Sequence, residues 1–334
     1  MSGGANDLNA AFAQCEAIVR ERARNFWYGL RLTPEPKRSA MYAIYAWMRE
    51  ADDIADELAP SDARAIDPAS AVGIELRRAR LQQFRADTDR ALRGEVPEGG
   101  TPVPHVTTDG QRAMWRALAA VAPRYSLVPQ DFHDMIEGQL ADLEPVRLPS
   151  WEALRTQCYR VASTVGLVCV RVWGYASPSV VEEANRLAID RGIAFQLTNI
   201  LRDVREDLAN GRVYLPADEL ARHGLRIDDV VAWRGAEACD RFLREQIERA
   251  EAHYRASARL ESLISADCVP TLWALTRIYR RLLERIADDP QAIVGPGRVR
   301  VATWEKLWIG FRAKRMAKAA QRGSPTLAAG VAAP

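Results

Sequence analysis

The sequence predicts an all-α protein. Apolar residues recur three and four positions apart through most of the chain, and this spacing is typical of a helix that buries one face. The first such segment carries its apolar residues at Leu8, Ala11, Phe12, Cys15 and Ile18. Alternating apolar and polar residues, the pattern of a half-buried strand, are almost absent. Proline and glycine breaks separate the periodic segments, so we expect a bundle of helices joined by turns.

These breaks divide the chain into predicted helices. The break at 33–36 carries two prolines, which favour a helix start, and the Asn210-Gly211 pair tolerates the left-handed conformation that ends a helix. The predicted helices span residues 8–30, 36–58, 75–93, 111–122, 129–143, 151–175, 178–209, 217–223, 236–264, 268–288 and 302–320. We expect a surface loop at 94–110, which is rich in Gly, Pro and Thr, and a disordered tail at 323–334.

Composition and charge narrow the classes of function. The chain has 334 residues, of which 48% are hydrophobic and 27% charged, as in a globular protein with a sizeable core. A net charge of +2 with no dominant basic face argues against a nucleic-acid partner. The five cysteines are scattered without a CxxC pair, which favours a reducing compartment over a disulfide framework or zinc site. With no signal segment or membrane span evident, we expect a cytoplasmic protein.

The candidate site begins with a polar stripe in residues 196–207. Gln196, Asn199, Asp203 and Asp207 lie at offsets 0, +3, +7 and +11, which places them on one side of a helix. Two carboxylates four residues apart repel each other unless a cation lies between them. Carboxylate and amide oxygens are ligands that Mg²⁺ accepts. The stripe therefore indicates a metal-binding face.

A second stripe repeats this design near the N-terminus. Tyr45, Arg49, Asp52 and Asp56 lie at offsets 0, +4, +7 and +11. Two such helices facing each other across a cavity would hold several Mg²⁺ ions, whose shells water and substrate phosphates would complete. The alternative is that each stripe is a solvated face with salt bridges between neighbouring turns. Two matched stripes, each with an arginine among its acids (Arg49 and Arg202), favour the metal site.

Several motifs beyond the stripes resemble one known family. Residues 196–207 are followed by Gly-Arg-Val-Tyr-Leu-Pro at 211–216, and this combination is highly specific. The further matches are Arg24-Asn-Phe26, residues 52–56, residues 159–162, Arg277-Ile-Tyr279 and Arg298-Val299. Together they cover nearly the whole chain and resemble the squalene/phytoene synthase family of head-to-head prenyltransferases. The resemblance implies a single-domain isoprenoid-synthase helical bundle over residues 1–322, with a central active-site cavity.

The resemblance also implies a reaction. Family members join two identical prenyl diphosphates in a Mg²⁺-dependent 1′-1 condensation, first into a cyclopropyl diphosphate and often then into a C30 or C40 hydrocarbon. The stripes agree with this chemistry, because cations neutralise a departing diphosphate and a dry apolar cavity protects the allylic cation. The predicted metal ligands for Mg²⁺, or for Mn²⁺, are Asp52, Asp56, Asn199, Asp203 and Asp207, with Asp53 less favoured. The predicted catalytic residues are Tyr45, Arg49, Arg202 and Tyr214.

Ten further residues are predicted to bind substrate: Arg24, Asn25, Phe26, Leu30, Tyr159, Val165, Gln196, Arg212, Tyr279 and Arg298. Two positions depart from the family pattern. Asn25 stands where Ser is common, which weakens its predicted diphosphate contact, and Ser163 stands where Gly is common, which would narrow the cavity. Leu30, one turn beyond Phe26, leaves room for a C20 chain and favours a phytoene synthase, whereas Tyr42 would oppose this.

Other functions stay open. A C30 enzyme acting on farnesyl diphosphate is the main alternative, and NADPH use is undecided because no dinucleotide fingerprint is visible. Chain-elongating synthases and cyclases carry different second motifs. A carboxylate-bridged di-iron bundle needs Glu-x-x-His pairs, which this chain lacks. A non-catalytic scaffold would be expected to lose acids from the stripes, and all four are present.

The C-terminal helix carries a basic amphipathic pattern. Its apolar face comprises Trp304, Leu307, Trp308 and Phe311, and the surrounding cations are Lys306, Arg312, Lys314, Arg315 and Lys318. A helix of this kind can lie on an anionic membrane. The alternative is a terminal helix docked on the core. The sequence therefore raises peripheral membrane contact as a prediction, and it leaves the oligomeric state open.

Overall fold

The fold is that of a helical bundle, seen in a computed structural model that describes residues 2–23, 25–58, 62, 66–98 and 108–323. Its helices are α1 (Ser2–Arg22), α2 (Asn25–Leu30), α3 (Lys37–Asp56), α4 (Ala71–Leu92), α5 (Thr108–Val121), α6 (Pro129–Ala141), α7 (Trp151–Cys158), α8 (Thr164–Trp173), α9 (Val181–Ala209), α10 (Ala217–Arg222), α11 (Ile227–Val231), α12 (Ala236–Ala256), α13 (Leu260–Leu263), α14 (Val269–Asp288) and α15 (Thr303–Gly323). Two-residue strands β1 (Val146–Arg147) and β2 (Arg212–Val213) pair in parallel. The all-α prediction is confirmed.

Several predicted helices are divided in the structure. The segment predicted as 8–30 forms α1 and α2, because α1 packs on α3 and α5 whereas α2 packs on α14. A π-helical turn at Tyr159–Ser163 separates α7 from α8, and a break near Ser257 separates α12 from α13. The short helix α11 was not predicted. Most of the predicted loop at 94–110, and the predicted tail beyond residue 323, lie outside the described residues.

The core has two aromatic-rich halves that α9 joins. In the first, the ring of Trp47 on α3 lies 5.5 Å from Phe84 and 4.7 Å from Phe132, and its indole nitrogen donates to Thr88 at 2.9 Å. The second half buries Phe242 and its neighbours between α9, α12 and α14. Because α9 packs against α8, α12 and α14, its polar stripe is held at the centre of the bundle.

The approach of α9 to the π-helical turn fixes one wall of the site. A Cβ atom on Gly192 would lie 2.6 Å from the Cα of Ser163, so only glycine allows this approach. The Ser163 hydroxyl donates to the carbonyl of Ile189 at 2.8 Å. Ser163 is therefore a packing residue between helices and does not line the central cavity, so it does not narrow that cavity as the sequence suggested.

Two further features bear on function. The pairing of β1 with β2 sets Val146 opposite Arg212 and so carries Arg212 to the end of α6.

Within the described ranges, the structure contains no helix long and apolar enough to cross a bilayer.

Candidate active site

A cavity of about 260 Å³ lies between α2, α3, α8, α9 and α14. The polar residues at its wall come from both predicted stripes and include Tyr45, Asp52, Gln196 and Asn199. The apolar part of the wall includes Phe26, Met48, Val165, Cys169, Phe195, Leu272, Leu275 and Tyr279. The structure thus brings residues from the two stripes, which lie far apart in sequence, to one apolar cavity.

Aromatic rings form one side of this cavity. The ring centroid of Phe26 lies 5.8 Å from Tyr279 in an edge-to-face pair and 6.5 Å from Tyr45. Phe195 stacks on Tyr279 at 4.4 Å. Sequence reasoning missed Phe195, although it directly precedes the polar stripe. Rings arranged in this way give a cavity wall that excludes water and can face a cation.

Helix α3 presents two neighbouring acids, Asp52 and Asp53, in different environments. Asp52 accepts a hydrogen bond from Gln139 at 2.5 Å, and burial, together with nearby acids, raises its pKa to about 7. Asp53 is fully buried and receives Arg49 at 2.5 Å and Arg22 at 3.0 Å. Two cations therefore already neutralise Asp53. Arg49, which was predicted to be catalytic, points to Asp53 in this structure.

Helix α9 holds the two acids of its polar stripe, Asp203 and Asp207, in different environments. The Asp203 carboxylate receives two hydrogen bonds from Arg202, at 2.7 and 2.5 Å, and two ion-pair contacts of 2.6 Å from Arg298. Burial favours the protonated form of Asp203, but these guanidinium groups hold its pKa below the usual value. For Asp207, burial and the negative charge of Asp203 raise the pKa to about 7. Arginines thus stabilise the charged form of Asp203, whereas the surroundings of Asp207 destabilise its charged form.

Arg212 and Asp142 connect the two stripes. Arg212 donates to the Asp56 carboxylate at 2.8 Å and to the Asp142 carbonyl at 3.2 Å. The Asp142 carboxylate accepts the Tyr214 hydroxyl at 2.8 Å, and burial raises its pKa to about 6. The charge of Asp142 also contributes to the raised pKa of Asp52 and Asp207, so these acids share one electrostatic region. Sequence reasoning missed Asp142, because a single acid at the end of α6 forms no stripe.

The donor set fits a divalent cation such as Mg²⁺. Carboxylates from α3 and α9 are accompanied by the amide oxygen of Asn199, which is buried and accepts no hydrogen bond from the described residues. The raised pKa values of Asp52 and Asp207 mark carboxylates whose charged forms a cation would stabilise. In the described part of the chain, no three acid, His or Cys side chains converge enough to enclose an ion alone. An open arrangement suits Mg²⁺, which retains water and binds substrate phosphates.

Four of the predicted substrate residues that the structure describes, Leu30, Tyr159, Arg212 and Arg298, do not line the cavity. Leu30 is buried in the core and away from the cavity wall, so it gives no reason to favour a C20 chain. Tyr159 begins the π-helical turn, where burial, and then the negative charge of Asp134, raise the pKa of its hydroxyl. Arg24 lies outside the described residues, as does the side chain of Asn25. Their roles stay predictions.

Comparison with known proteins identifies the family of this chain. The squalene/phytoene synthase family model matches residues 19–305. The 15-cis-phytoene synthase of Synechococcus elongatus is 34% identical over 90% of this chain and 91% of its own length, and phytoene synthase 1, chloroplastic, of Arabidopsis thaliana is 35% identical over 86% of this chain and 63% of its own length. The crystal structure of a dehydrosqualene synthase in complex with ligand superposes with a TM-score of 0.73 and 26% identity, over 95% of this chain and 99% of that one. The chain therefore belongs to the squalene/phytoene synthase family, whose members are prenyltransferases that generally depend on a divalent metal ion.

Proposed function

We propose that this protein joins two identical prenyl diphosphates head to head, through a cyclopropyl diphosphate, and that it converts two geranylgeranyl diphosphates into phytoene. The observation that carries the proposal is that Asp52 of α3 and Asn199 of α9 line the same apolar, aromatic cavity. The choice of the C20 substrate rests on the phytoene synthases that resemble this chain over most of its length.

The diphosphate group would bind at the polar end of the cavity. Mg²⁺, or Mn²⁺, held by Asp52, Asp56, Asn199, Asp203 and Asp207, would neutralise the charge that develops on the departing diphosphate. The guanidinium groups of Arg202, Arg298 and Arg212 lie among these acids and can donate to phosphate oxygens. The amide oxygen of Gln196 accepts a hydrogen bond from Asn199 at 3.4 Å. The amide NH₂ group of Gln196 would then donate to the diphosphate and orient it.

The prenyl chains would lie in the apolar part of the cavity. Phe26, Val165 and Tyr279 exclude water there, and the aromatic faces stabilise an allylic cation. Tyr45 also lines the wall and stays neutral, because burial raises its pKa to about 12. Its hydroxyl would hydrogen-bond the diphosphate or assist the loss of the proton from the hydrocarbon, which the released diphosphate would finally accept as the base. Tyr214 donates its own proton to Asp142, so we propose that it acts by holding that carboxylate in place.

The volume of the cavity favours the C30 alternative. At about 260 Å³ the cavity lies below the roughly 300–1,000 Å³ of typical ligand pockets. Two C20 chains would need the walls to move apart, and two farnesyl chains would need less movement. In that case NADPH dependence would separate a squalene synthase from a dehydrosqualene or presqualene diphosphate synthase. The third candidate is a non-catalytic scaffold. The presence of all four stripe acids argues against it.

A product assay tests the proposal. Purified protein is incubated with farnesyl or geranylgeranyl diphosphate, with and without Mg²⁺ and NADPH, and the extract is analysed by mass spectrometry. A Mg²⁺-dependent C40 hydrocarbon supports the proposal, and a C30 product would replace it with the alternative. No product from either substrate, with the protein folded, would favour the scaffold.

We also propose that the enzyme is cytoplasmic and touches a membrane through α15. Trp304, Leu307, Trp308 and Phe311 are 70%, 60%, 49% and 59% exposed, which is unusual for large apolar side chains. Cations surround them, as in helices that lie on anionic bilayers. The five cysteines are free and buried, which supports a reducing compartment.

A further inference from the structure

A buried arginine lines the cavity at the end away from its polar residues. Among the described residues of the cavity wall, only Asp52 and Arg191 carry a charge. Arg191 lies eight positions before Asn199 on α9, which places it about 12 Å along the helix axis from that polar residue. It is only 4% exposed. A charge buried beside an apolar cavity is costly unless it is paired, so its partners determine what it does there.

The protein itself uses all five N–H donors of Arg191. The Nε and Nη2 atoms donate to the hydroxyl and the carbonyl of Ser257, at 2.9 and 2.7 Å. The Glu261 carboxylate accepts from Nη1 at 2.8 Å and from Nη2 at 3.2 Å, and the Thr276 hydroxyl accepts from Nη1. Arg191 therefore has no donor left for a diphosphate, and it meets the cavity as part of a fixed wall.

These bonds hold the start of α13 against α9. Ser257 and Glu261 flank Leu260, which is 1% exposed and lines the cavity. Leu272 of α14 lines the cavity as well, and α13 contacts both α9 and α14. We define the far end of the cavity as Arg191, Leu260 and Leu272. Its three residues come from three helices, and the bonds of Arg191 connect these helices.

An ion-paired wall responds to a longer ligand differently from an apolar wall. A leucine side chain can move to another rotamer at a modest cost in free energy. Displacing Arg191 would break its ion pair with Glu261 and leave buried donors without partners. A hydrocarbon tail offers no acceptor in return. The far end should therefore resist a chain that is too long instead of adapting to it.

We propose that Arg191 determines specificity, by closing the far end of the cavity and so setting the longest prenyl chain that the protein binds. The inference rests on the proposed function, because it takes the diphosphate to lie at the polar end and the chain to run along α9 towards Arg191. If the substrate has 20 carbons, a chain that is one isoprene unit longer should meet this wall.

Unreactive substrate analogues test this inference without turnover. The C10, C15, C20 and C25 prenyl thiolodiphosphates, in which sulfur replaces the oxygen that joins the chain to the diphosphate, are titrated into the full chain with Mg²⁺ by calorimetry. The wild type should bind the C25 analogue at least about 10-fold more weakly than the C20 analogue, because the added unit has no room. R191L/E261Q removes the ion pair and shortens the wall. It should bind C25 at least as tightly as C20, since added apolar surface is then buried.

Control variants separate a role in specificity from a role in folding. R191K keeps a cation on a long side chain and should keep the preference for C20 over C25. R186L makes the same change of Arg to Leu on the exposed side of α9 and should behave as the wild type does. Circular dichroism and thermal unfolding check that each variant is folded. If R191L/E261Q does not fold, L260A opens the same end, and it should lower the ratio of the C25 to the C20 Kd at least about 3-fold.

Two results would overturn the role of Arg191: no loss of affinity with chain length in the wild type, and the same length limit in the wild type and in a folded R191L/E261Q. A limit between C15 and C20 that the variant raises by one unit would keep this role and replace the C20 function with the C30 alternative. A raised limit in a protein that makes no hydrocarbon would also keep it and refute the proposed function. Failure of the wild type to bind any of the four analogues would contradict both.

Discussion

The guanidinium group of Arg212 donates to the Asp56 carboxylate at 2.8 Å across 156 positions of sequence. It also donates to the Asp142 carbonyl, so it lies where the acids of α3, α6 and α9 meet. We predict that Arg212→Gln lowers kcat/KM about 100-fold, because one charged donor to a developing anion is lost. Steady-state kinetics with saturating Mg²⁺ measure this. Arg186→Gln, on the exposed side of α9, is the control. A similar small effect on kcat/KM in both variants would show that Arg212 does not contribute to catalysis.

Asp142 gives a second prediction, because it interacts with the proposed metal ligands. Asp142→Asn removes a negative charge near Asp52 and Asp207, so the Mg²⁺ concentration for half-maximal activity should rise about 10-fold. The free energy of unfolding should fall by about 1–3 kcal/mol, because Asn keeps an acceptor for only one of the two donors, Tyr214 and Gln157. Glu144→Gln, two residues further and 65% exposed, is the control. An unchanged Mg²⁺ response would make Asp142 a packing residue only.

Glu219 gives a prediction about pH and stability, away from the active site. It is 3% exposed and accepts hydrogen bonds from Arg249 at 2.7 and 2.9 Å and from Gln246 at 2.7 Å. Burial opposes its charge, but these donors hold its pKa below the ordinary value. The stabilisation is therefore present above the pKa of the unfolded chain, about 4.3, and is lost as the pH falls below it.

We predict that Glu219→Gln lowers the free energy of unfolding by about 1–3 kcal/mol at pH 7, because Arg249 loses its charged partner. The difference from the wild type should shrink as the pH falls below about 4. Urea unfolding between pH 3 and pH 8 measures it, and Glu237→Gln, which is 94% exposed, serves as the control. A pH-independent difference would contradict the assigned pKa.

The exposed ridge on α15 leads to a prediction about membranes. Replacing Trp304, Leu307, Trp308 and Phe311 with Ser should abolish flotation of the protein with anionic vesicles, because the apolar anchor is removed. Solution activity on detergent-dispersed substrate should persist. Neutral vesicles should bind the wild type more weakly than anionic ones do. Equal flotation of wild type and variant would refute the membrane role of this face.

The parts of the fold that helical periodicity encodes could be predicted from the sequence. The apolar residues of α9 (Leu197, Ile200, Leu201 and Val204) are buried, and Gln196 and Asn199 of its polar stripe line the cavity. The division of residues 8–30 could not be predicted, since one apolar run supplies both α1 and α2, and only their different packing partners separate them.

The site was predictable where residues repeat at helical spacing and not where they meet through tertiary contacts. Asp52 and Asn199 reach one cavity as expected. The link through Asp142 depends on the end of α6 meeting β2, and β2 is only two residues long, too short for a pattern. Leu30 was placed at the cavity by counting one turn from Phe26, but Leu30 is buried in the core and does not line the cavity.

The central claim is that the two stripes act together on the diphosphate groups of two identical substrates. The most direct test is to incubate the wild type, Asp52→Asn and Asp203→Asn with geranylgeranyl diphosphate and Mg²⁺, and to measure C40 product together with released inorganic diphosphate. The account predicts a C40 hydrocarbon and two released diphosphates per product in the wild type, and loss of both signals in each folded variant. Wild-type activity in either variant, or a folded wild type that releases no diphosphate from either the C20 or the C15 substrate, would contradict it.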